Sequence, residues 1–541
     1  MTSAWNSWGS EVVRGSGPVP FLRFALRRHL VTELLADTRP YGDRDHLVQA
    51  SRRITFEAMI GATARVANQL ATRGVGPGDR LLLLAGNSPE WVISLWGALR
   101  LGAVPAPGNR WWSAAEVSHA MELISPAVIV TDAAMAGRLP DCPAAAVITM
   151  DDIRSWSEDD SLPTALAEPQ VREEDPALII FTAGTTGPAK AAVLAHRSVI
   201  ANLQNLLVVS GRLPGQRDGE RPDRKGEAIL QSGPLFHIGG IQSLLLALMG
   251  GNKVVFLDGR FEPGQVLDII ERERITVWGA IPTMAIRVLE HPSARSRDLS
   301  TVRSISLGGA PVTPELTDRL RICFPSVRRG VSTVYGMTEA GGTVAAASGA
   351  LMVDHPGTSG RALPVVELRI DEVDDSGIGE ILIRTPGQMT RYWNEDMPGP
   401  IDAEGWLHSG DLGRIENGLL YVTGRAKDII IRGGENISAA HVEEVLHRHP
   451  AVAAVAVVGL PDPDLGEVVG AVVQLREETT ENELAAFAAG HLGRFEVPAR
   501  WRLLAEPLPM TEAGKIAKHE LSTAWLGESG EPVEDSGGAV D

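Results

Sequence analysis

Between about residues 80 and 330, short apolar runs alternate with helical patterns. Leu81 to Ala85, Ala127 to Thr131, Val254 to Leu257, Thr276 to Ala280 and Ser304 to Leu307 each read as a strand. Pro89 to Leu101 reads as a helix with Trp91, Leu95 and Leu99 on one side. Alternation of this kind predicts parallel sheets covered by helices, an α/β fold. Strand candidates at Val366 to Ile370, Gly379 to Arg384 and Gly418 to Val422 lack intervening helices, which predicts a smaller antiparallel sheet or barrel. After Arg425 the texture changes. Asp428 to Ile431 is a strand, Ala439 to His447 a helix, Val452 to Val458 and Val468 to Leu475 strands, and Glu481 to His491 a helix. That set spans about 100 residues, enough for an independent domain. The expected division is 1–424 for a large domain and 425–525 for a small one. The acidic, Gly-rich tail 526–541 is expected to be disordered.

Composition narrows the class. A chain of 541 residues exceeds what one core supports. The two cysteines, Cys142 and Cys323, form no metal or redox pattern, so a reducing, cytoplasmic setting is expected. No apolar run approaches the roughly 18 residues of a membrane span. A net charge of −18 argues against nucleic acid as a partner, though not against a small anion held by local positive groups.

The loop Phe181-Thr182-Ala183-Gly184-Thr185-Thr186-Gly187-Pro188-Ala189-Lys190 follows the buried run Leu178 to Phe181. Glycines let backbone N–H groups approach a polyanion, threonines add neutral donors, and Lys190 adds a mobile charge. This is a phosphate cradle without the Gly-Lys-Ser/Thr ending of a Walker A loop. Further motifs lie near strand ends or in loops: Pro234-Leu235-Phe236-His237 with Gly239-Gly240, Gly308-Gly309-Ala310-Pro311, and Tyr335-Gly336-Met337-Thr338-Glu339. A carboxylate beside a phosphate site suits Mg²⁺, which shares its sphere with substrate phosphates. Gly410-Asp411 offers an acceptor for sugar hydroxyls. Gly424-Arg425-Ala426-Lys427-Asp428, Gly433-Gly434-Glu435 and Gly514-Lys515 complete the series. Taken singly, His237 reads as a packed core histidine, Asp411 as a turn cap and Lys515 as a surface lysine.

In this order the series resembles the adenylate-forming superfamily of acyl-CoA synthetases, peptide-synthetase adenylation domains and luciferases, over about residues 45 to 522. Asn87 to Trp91, Gly102 to Pro105 and Glu496 to Pro498 match it as well. The resemblance implies a large N-terminal domain of two mixed sheets, flanking helices and a small β-barrel, joined to a small mobile α+β domain. It implies ATP, Mg²⁺ and, as acceptor, coenzyme A. A carboxylate would attack the α-phosphate to give an acyl-adenylate and pyrophosphate, and a thiol would then displace AMP. Thr182 to Lys190 would hold the β- and γ-phosphates, with Glu339 on Mg²⁺ and Thr338 beside phosphate. Tyr335 would lie on adenine, with Gly309, Ala310, Pro311 and Gly336 lining the nucleotide. Asp411 and Arg425 would meet the ribose. His237, Gly309, Gly336 and Met337 would line the acyl pocket. Lys515 would reach the α-phosphate and the entering carboxylate. The hinge would be Lys427, and rotation would bring Gly433, Gly434 and Glu435 over the thiol channel.

Departures are Ala183 where relatives often carry Ser, Ala191 where many carry Gly, and Thr333 where Asn, Asp or Gln is common. Ile238 to Leu244 is small and apolar, which suits an aliphatic or aromatic acid and a place near fatty-acid metabolism. Gln231-Ser232-Gly233 lacks the acid an amino-acid substrate would need. An amine or a carrier protein remains open as acceptor, as does a homodimer. Trp111 and Trp112 resemble a pair in some bacterial fatty-acyl synthetases; buried packing explains them equally well.

Overall fold

The computed structural model describes residues 8–140, 145–167, 169–182, 189–214, 226–308, 312, 314–327, 330–373, 377–394, 399–425, 428–432, 435–462, 465–511 and 516–528. The chain separates into two compact units. The first holds Met1–Arg369, Leu382–His408 and Asn417–Leu420; the second holds Ile370–Ile381, Ser409–Glu416 and Tyr421–Asp541.

In the first unit, β1 (Arg80–Leu84) leads into α1 (Pro89–Arg100), then β2 (Val104–Pro107), β3 (Val128–Thr131) and β4 (Ala146–Thr149). These strands pair in parallel in the order β2-β1-β3-β4. Leu81 and Leu83 pack into one core cluster and Leu82 and Leu84 into another, so both faces of β1 are covered. Ser88 starts α1 by accepting from the Trp91 N–H, with Pro89 in the first helical position. Here the structure departs from the one-sided reading, because α1 is buried from Pro89 to Leu99. Its acid and its serine find partners inside: Glu90 pairs with Arg52, and the Ser94 hydroxyl donates to the Glu90 carbonyl. A satisfied polar residue inside a core mimics the solvent face of an amphipathic helix.

The chain then makes an antiparallel hairpin of β5 (Pro176–Thr182) and β6 (Lys190–Ala195), followed by α2 (His196–Val209). Next come β7 (Ala228–Gln231), α3 (Ile238–Met249), β8 (Lys253–Phe256), β9 (Val277–Ala280), β10 (Ser304–Leu307), β11 (Val331–Met337) and β12 (Gly342–Ser348). They form one mixed sheet, running β12-β11-β10-β9-β7-β8 and then to Asp45–Gln49 and Arg52–Thr55. From β8 to β11 the pairing is parallel; β12 returns antiparallel. A short strand, β13 (Arg391–Tyr392), adds to the free edge of β6. Glu367–Asp371, Gly379–Arg384, Leu407–Glu416 and Leu419–Arg425 form a separate sheet in that order, with no helix between the strands.

In the second unit, β14 (Ile429–Arg432) and β15 (Glu435–Ser438) precede α4 (Ala439–His447), β16 (Val452–Asp462), β17 (Gly466–Leu475), α5 (Glu481–Ala489), β18 (Arg500–Leu504) and α6 (Lys518–Glu528). Along β16, Val455 and Val457 pack in the cluster that holds residues of α4 and α5, while Ala456, Val458 and Leu460 pack with Leu521 and Trp525 of α6. The helix α6 runs to Glu528, past the point where the composition turns acidic.

Candidate active site

Parallel strands β7, β9, β10 and β11 all end at one edge of the sheet. β7 and β9 are neighbours, and the chain leaves β7 for β8 on one side and β9 for β10 on the other, so the onward connections of this pair run in opposite directions. That is a topological switch point, where a crevice opens outside the carboxyl ends of the strands. His237 follows β7, half-buried, as the residue before α3, its ring 4.4 Å from that of Phe236. A Cβ on Gly240 would meet the Pro234 carbonyl oxygen at 2.3 Å, so this glycine lets the first turn of α3 lie against the approaching chain. Gly308 closes β10 on the same edge; Gly309, Ala310 and Pro311 lie outside the described residues.

Tyr335, Gly336 and Met337 are the last residues of β11, and Thr338 and Glu339 form the turn into β12. The register shifts between Tyr335 and Gly336, and a Cβ on Gly336 would sit 2.0 Å from the Gly342 carbonyl oxygen. Only glycine permits that approach, so Gly336 has a backbone reason to be there apart from any ligand. The edge thus collects His237, Gly308 and the Tyr335 to Glu339 segment.

The hairpin sets Lys190 opposite Thr182 across the mouth of the loop; Ala183, Gly184, Thr185, Thr186 and Gly187 lie outside the described residues. Among the described residues Lys190 has no carboxylate partner, and its Nζ stands 5.1 Å from the ring centroid of Tyr392. The Tyr392 hydroxyl donates to Glu339 Oε1 at 3.1 Å. Two backbone bonds anchor the surroundings: Met389 N–H to the Glu339 carbonyl at 2.8 Å and Thr390 N–H to the Val193 carbonyl at 2.9 Å. Burial, reinforced by the Glu339 charge, pushes the Tyr392 hydroxyl well above the usual phenol range, so it remains a donor. Sequence reasoning missed Tyr392. Its only signal was an aromatic pair, Tyr392-Trp393, distant in the chain from the motifs it joins.

Glu339 fits a magnesium ligand. It is half-buried, one carboxylate oxygen is oriented by Tyr392, and no cation pairs with it among the described residues. Nor do the described residues hold any cluster of three metal-ligating side chains. A single carboxylate that needs phosphate oxygens and water to complete the sphere is the donor set Mg²⁺ takes, rather than zinc.

The two tryptophans separate. Trp112 is buried, edge-on to Phe181 at 4.9 Å, and belongs to the core. Trp111 is 37% exposed and stands edge-on to Phe236 at 5.5 Å, next to His237.

In the second unit, Asp411 is 7% exposed and accepts from Arg425 Nε at 3.1 Å; its N–H donates to the Ser409 hydroxyl at 3.0 Å. Glu435 opens β15 opposite Arg432. Met510 and Ile516, which flank the terminal lysine motif, pair as an antiparallel bridge. Lys427, Gly433, Gly434 and Lys515 lie outside the described residues.

The chain matches the AMP-binding enzyme family over residues 35–393 and that family's C-terminal domain over residues 441–515. It belongs to this family, the adenylate-forming enzymes. It is 34% identical to a feruloyl-CoA synthase from an Amycolatopsis species, over 86% of this chain and 93% of that protein. It is 32% identical to an indoleacetate–CoA ligase from Aromatoleum aromaticum, over 87% and 93%. Among solved structures, o-succinylbenzoate CoA synthetase from Bacillus subtilis with its acyl-adenylate matches with a TM-score of 0.76 at 27% identity, covering 90% of this chain and 97% of that one. An amide bond synthetase from Marinactinospora thermotolerans matches at 0.77 and 26%, covering 91% and 100%.

Proposed function

We propose that this chain activates an apolar carboxylic acid with ATP and passes the acyl group to coenzyme A. The observation that carries this is the grouping of Lys190, Tyr392 and Glu339: an ammonium and a carboxylate that no opposite charge neutralises among the described residues, joined by one ring at the mouth of the Thr/Gly loop. The ammonium suits phosphate oxygens and the carboxylate suits the metal that accompanies them. In the first step a carboxylate oxygen of the acid attacks the α-phosphorus, the bond to the bridging oxygen breaks, and pyrophosphate leaves with the electron pair. Magnesium, when bound, neutralises phosphate charge. The residues position the reactants and stabilise developing charge. Thr182 to Gly187 and Lys190 hold the β- and γ-phosphates, Thr338 stands beside phosphate, and Tyr335 lies on adenine with Gly309, Ala310, Pro311 and Gly336. Asp411 with Arg425 takes the ribose, and Lys515 takes the α-phosphate and the entering carboxylate. In the second step the thiolate attacks the acyl carbon and AMP departs. Lys427 is the pivot between the steps, and Gly433, Gly434 and Glu435 line the thiol path.

His237, Gly309, Gly336 and Met337 line the acyl pocket in this reading. The exposed ring of Trp111 against Phe236, beside His237, favours an aromatic acid. So do relatives that take ferulate-type and indoleacetate-type acids. The second reading, transfer to an amine, is favoured by the similarity to an amide bond synthetase. We place the domain boundary at 424/425 and the enzyme in the cytoplasm. The test is an acid panel scored by Mg²⁺-dependent pyrophosphate release and hydroxylamine trapping, followed by coenzyme A or amines on the hits. Thioester is expected; amide without thioester establishes the second reading, and no release with any acid removes both.

A further inference from the structure

We infer that Tyr392 is a positioning residue which joins the metal ligand to the phosphate-loop lysine, its hydroxyl orienting the Glu339 carboxylate and its ring face seating the Lys190 ammonium. The inference rests on the adenylation reading and adds to it a residue outside the recognised motifs.

Tyr392 is buried, and a buried tyrosine hydroxyl needs a partner; here the partner is Glu339 Oε1 at 3.1 Å. A donor fixed on one oxygen turns the carboxylate plane and leaves the second oxygen for a cation. The ring lies 5.1 Å from the Lys190 ammonium, within the range of cation–π attraction, and holds that charge without neutralising it. A carboxylate in the same place would pair with the lysine and withdraw it from phosphate. Position comes from the backbone. Tyr392 is in register with Ala192 on β6, the strand that Lys190 begins, and flanking bonds run from Thr390 to Val193 and from Trp393 to Ala191. Met389 N–H fixes the Glu339 carbonyl from the same segment. One short edge strand therefore grips both the lysine strand and the glutamate turn. A site held to this precision needs such a supporting layer.

Two variants separate the two contacts. Tyr392→Phe keeps the ring and removes the hydroxyl; Tyr392→Leu removes both. ATP binding is measured by titration calorimetry on the full chain, once in chelator and once across a Mg²⁺ series. In Tyr392→Phe, metal-free ATP affinity is expected within about twofold of wild type, while the Mg²⁺ concentration giving half its effect rises on the order of tenfold, the scale of a hydrogen bond to a charged group. Tyr392→Leu is expected to lose metal-free affinity several-fold as well. The melting temperature of Tyr392→Phe should stay near wild type; should the leucine variant fail to fold, the phenylalanine variant alone carries the test. An unchanged Mg²⁺ dependence in Tyr392→Phe overturns the inference, as does an equal loss with and without metal, which marks general loosening. Wild-type protein that binds no Mg²⁺·ATP overturns the adenylation reading itself; wild type that binds beside an unaffected Tyr392→Phe overturns only this inference.

Discussion

Two carboxylates carry proposed roles, Glu339 toward magnesium and Asp411 toward ribose, and the structure surrounds them differently. Glu339 in the first unit is held by a neutral hydroxyl and keeps its charge available. Asp411 in the second unit is more deeply buried and already shares an oxygen with the Arg425 guanidinium. A metal ligand must keep its negative charge uncompensated, because that charge is what binds the cation. An acceptor for sugar hydroxyls needs only lone pairs, and a charge that is already balanced does not attract the metal away from phosphate. The difference in partners supports the two proposed roles, where residue type alone would leave the two acids interchangeable.

The largest expected effect lies with the terminal lysine proposed for the second unit. Lys515→Ala should lower adenylate formation by about 10²–10³-fold or more, the scale of losing one group aimed at developing charge. Conversion of a supplied acyl-adenylate to thioester should continue near wild-type rate. Single-turnover assays of each half-reaction check this, and equal loss in both would break the assignment of Lys515 to the first half-reaction. Next comes Glu339→Gln, which keeps shape and removes charge. Nucleotide binding in chelator should change little, while Mg²⁺ dependence of pyrophosphate release should weaken on the order of a hundredfold, as for an uncompensated charge facing a divalent ion. A Glu339→Gln enzyme with normal Mg²⁺ dependence would make Asp411 the candidate ligand and reverse the comparison.

The same contrast shows what could be read from the sequence. The parallel strands announce themselves because both faces are covered, so Leu81 to Leu84 is an unbroken apolar run. The Thr/Gly loop and the Tyr335 to Glu339 segment stand out in the sequence because each is a continuous run of phosphate- or metal-binding residue types beside an apolar stretch. Three features were not. The α1 helix carries Glu90 and Ser94 inward, and their partners come from Arg52 and from the helix's own backbone, which no periodicity records. The strand β18, Arg500–Leu504, pairs only with β17 among the described strands. Its Arg-Trp-Arg-Leu-Leu pattern reflects a partly solvated edge. Tyr392 owes its role to register with β6, a relation between distant segments that local sequence does not encode.

Acid should also distinguish the units. His46 is fully buried, its Nδ1 2.8 Å from the Asn252 carbonyl and its ring stacked on Phe56, and burial lowers its pKa to about 4. His196 accepts from the Val31 N–H through Nδ1, and burial, only partly opposed by Asp175 and Glu33, lowers it to about 4 as well. Both lie in the first unit. As pH falls from 6.5 toward 4, unfolded histidines take up protons that these two refuse, so stability is lost on acidification, by up to about 3 kcal/mol for each. In the second unit, burial raises the pKa of Glu443 despite its 2.8 Å contact with Lys518. A raised carboxylate binds protons more readily when folded, so its contribution is lost as pH rises rather than as it falls. Hydrogen exchange at pH 7 and pH 4.5 should therefore show Asp45–Gln49 and His196–Val209 losing protection before Val452–Asp462. The opposite order would break this part of the contrast.

The smallest effect sharpens the comparison most directly. Asp411→Asn keeps a hydroxyl acceptor and removes the charge that Arg425 balances. The KM for ATP should rise about tenfold, the scale of one hydrogen bond to a charged group, with the Mg²⁺ dependence unchanged. Substrate chemistry supplies an internal control. If Asp411 accepts from a ribose hydroxyl, 2′-deoxy-ATP should be a poorer substrate than ATP for wild type, and the penalty should shrink in Asp411→Asn, because the variant has less to lose. Arg425→Lys keeps a positive charge but lacks the planar fork that orients Asp411, so it should show an intermediate penalty. A deoxy penalty of the same size in wild type and Asp411→Asn would place the ribose elsewhere, and a shift in Mg²⁺ dependence in Asp411→Asn would erase the distinction between the two acids.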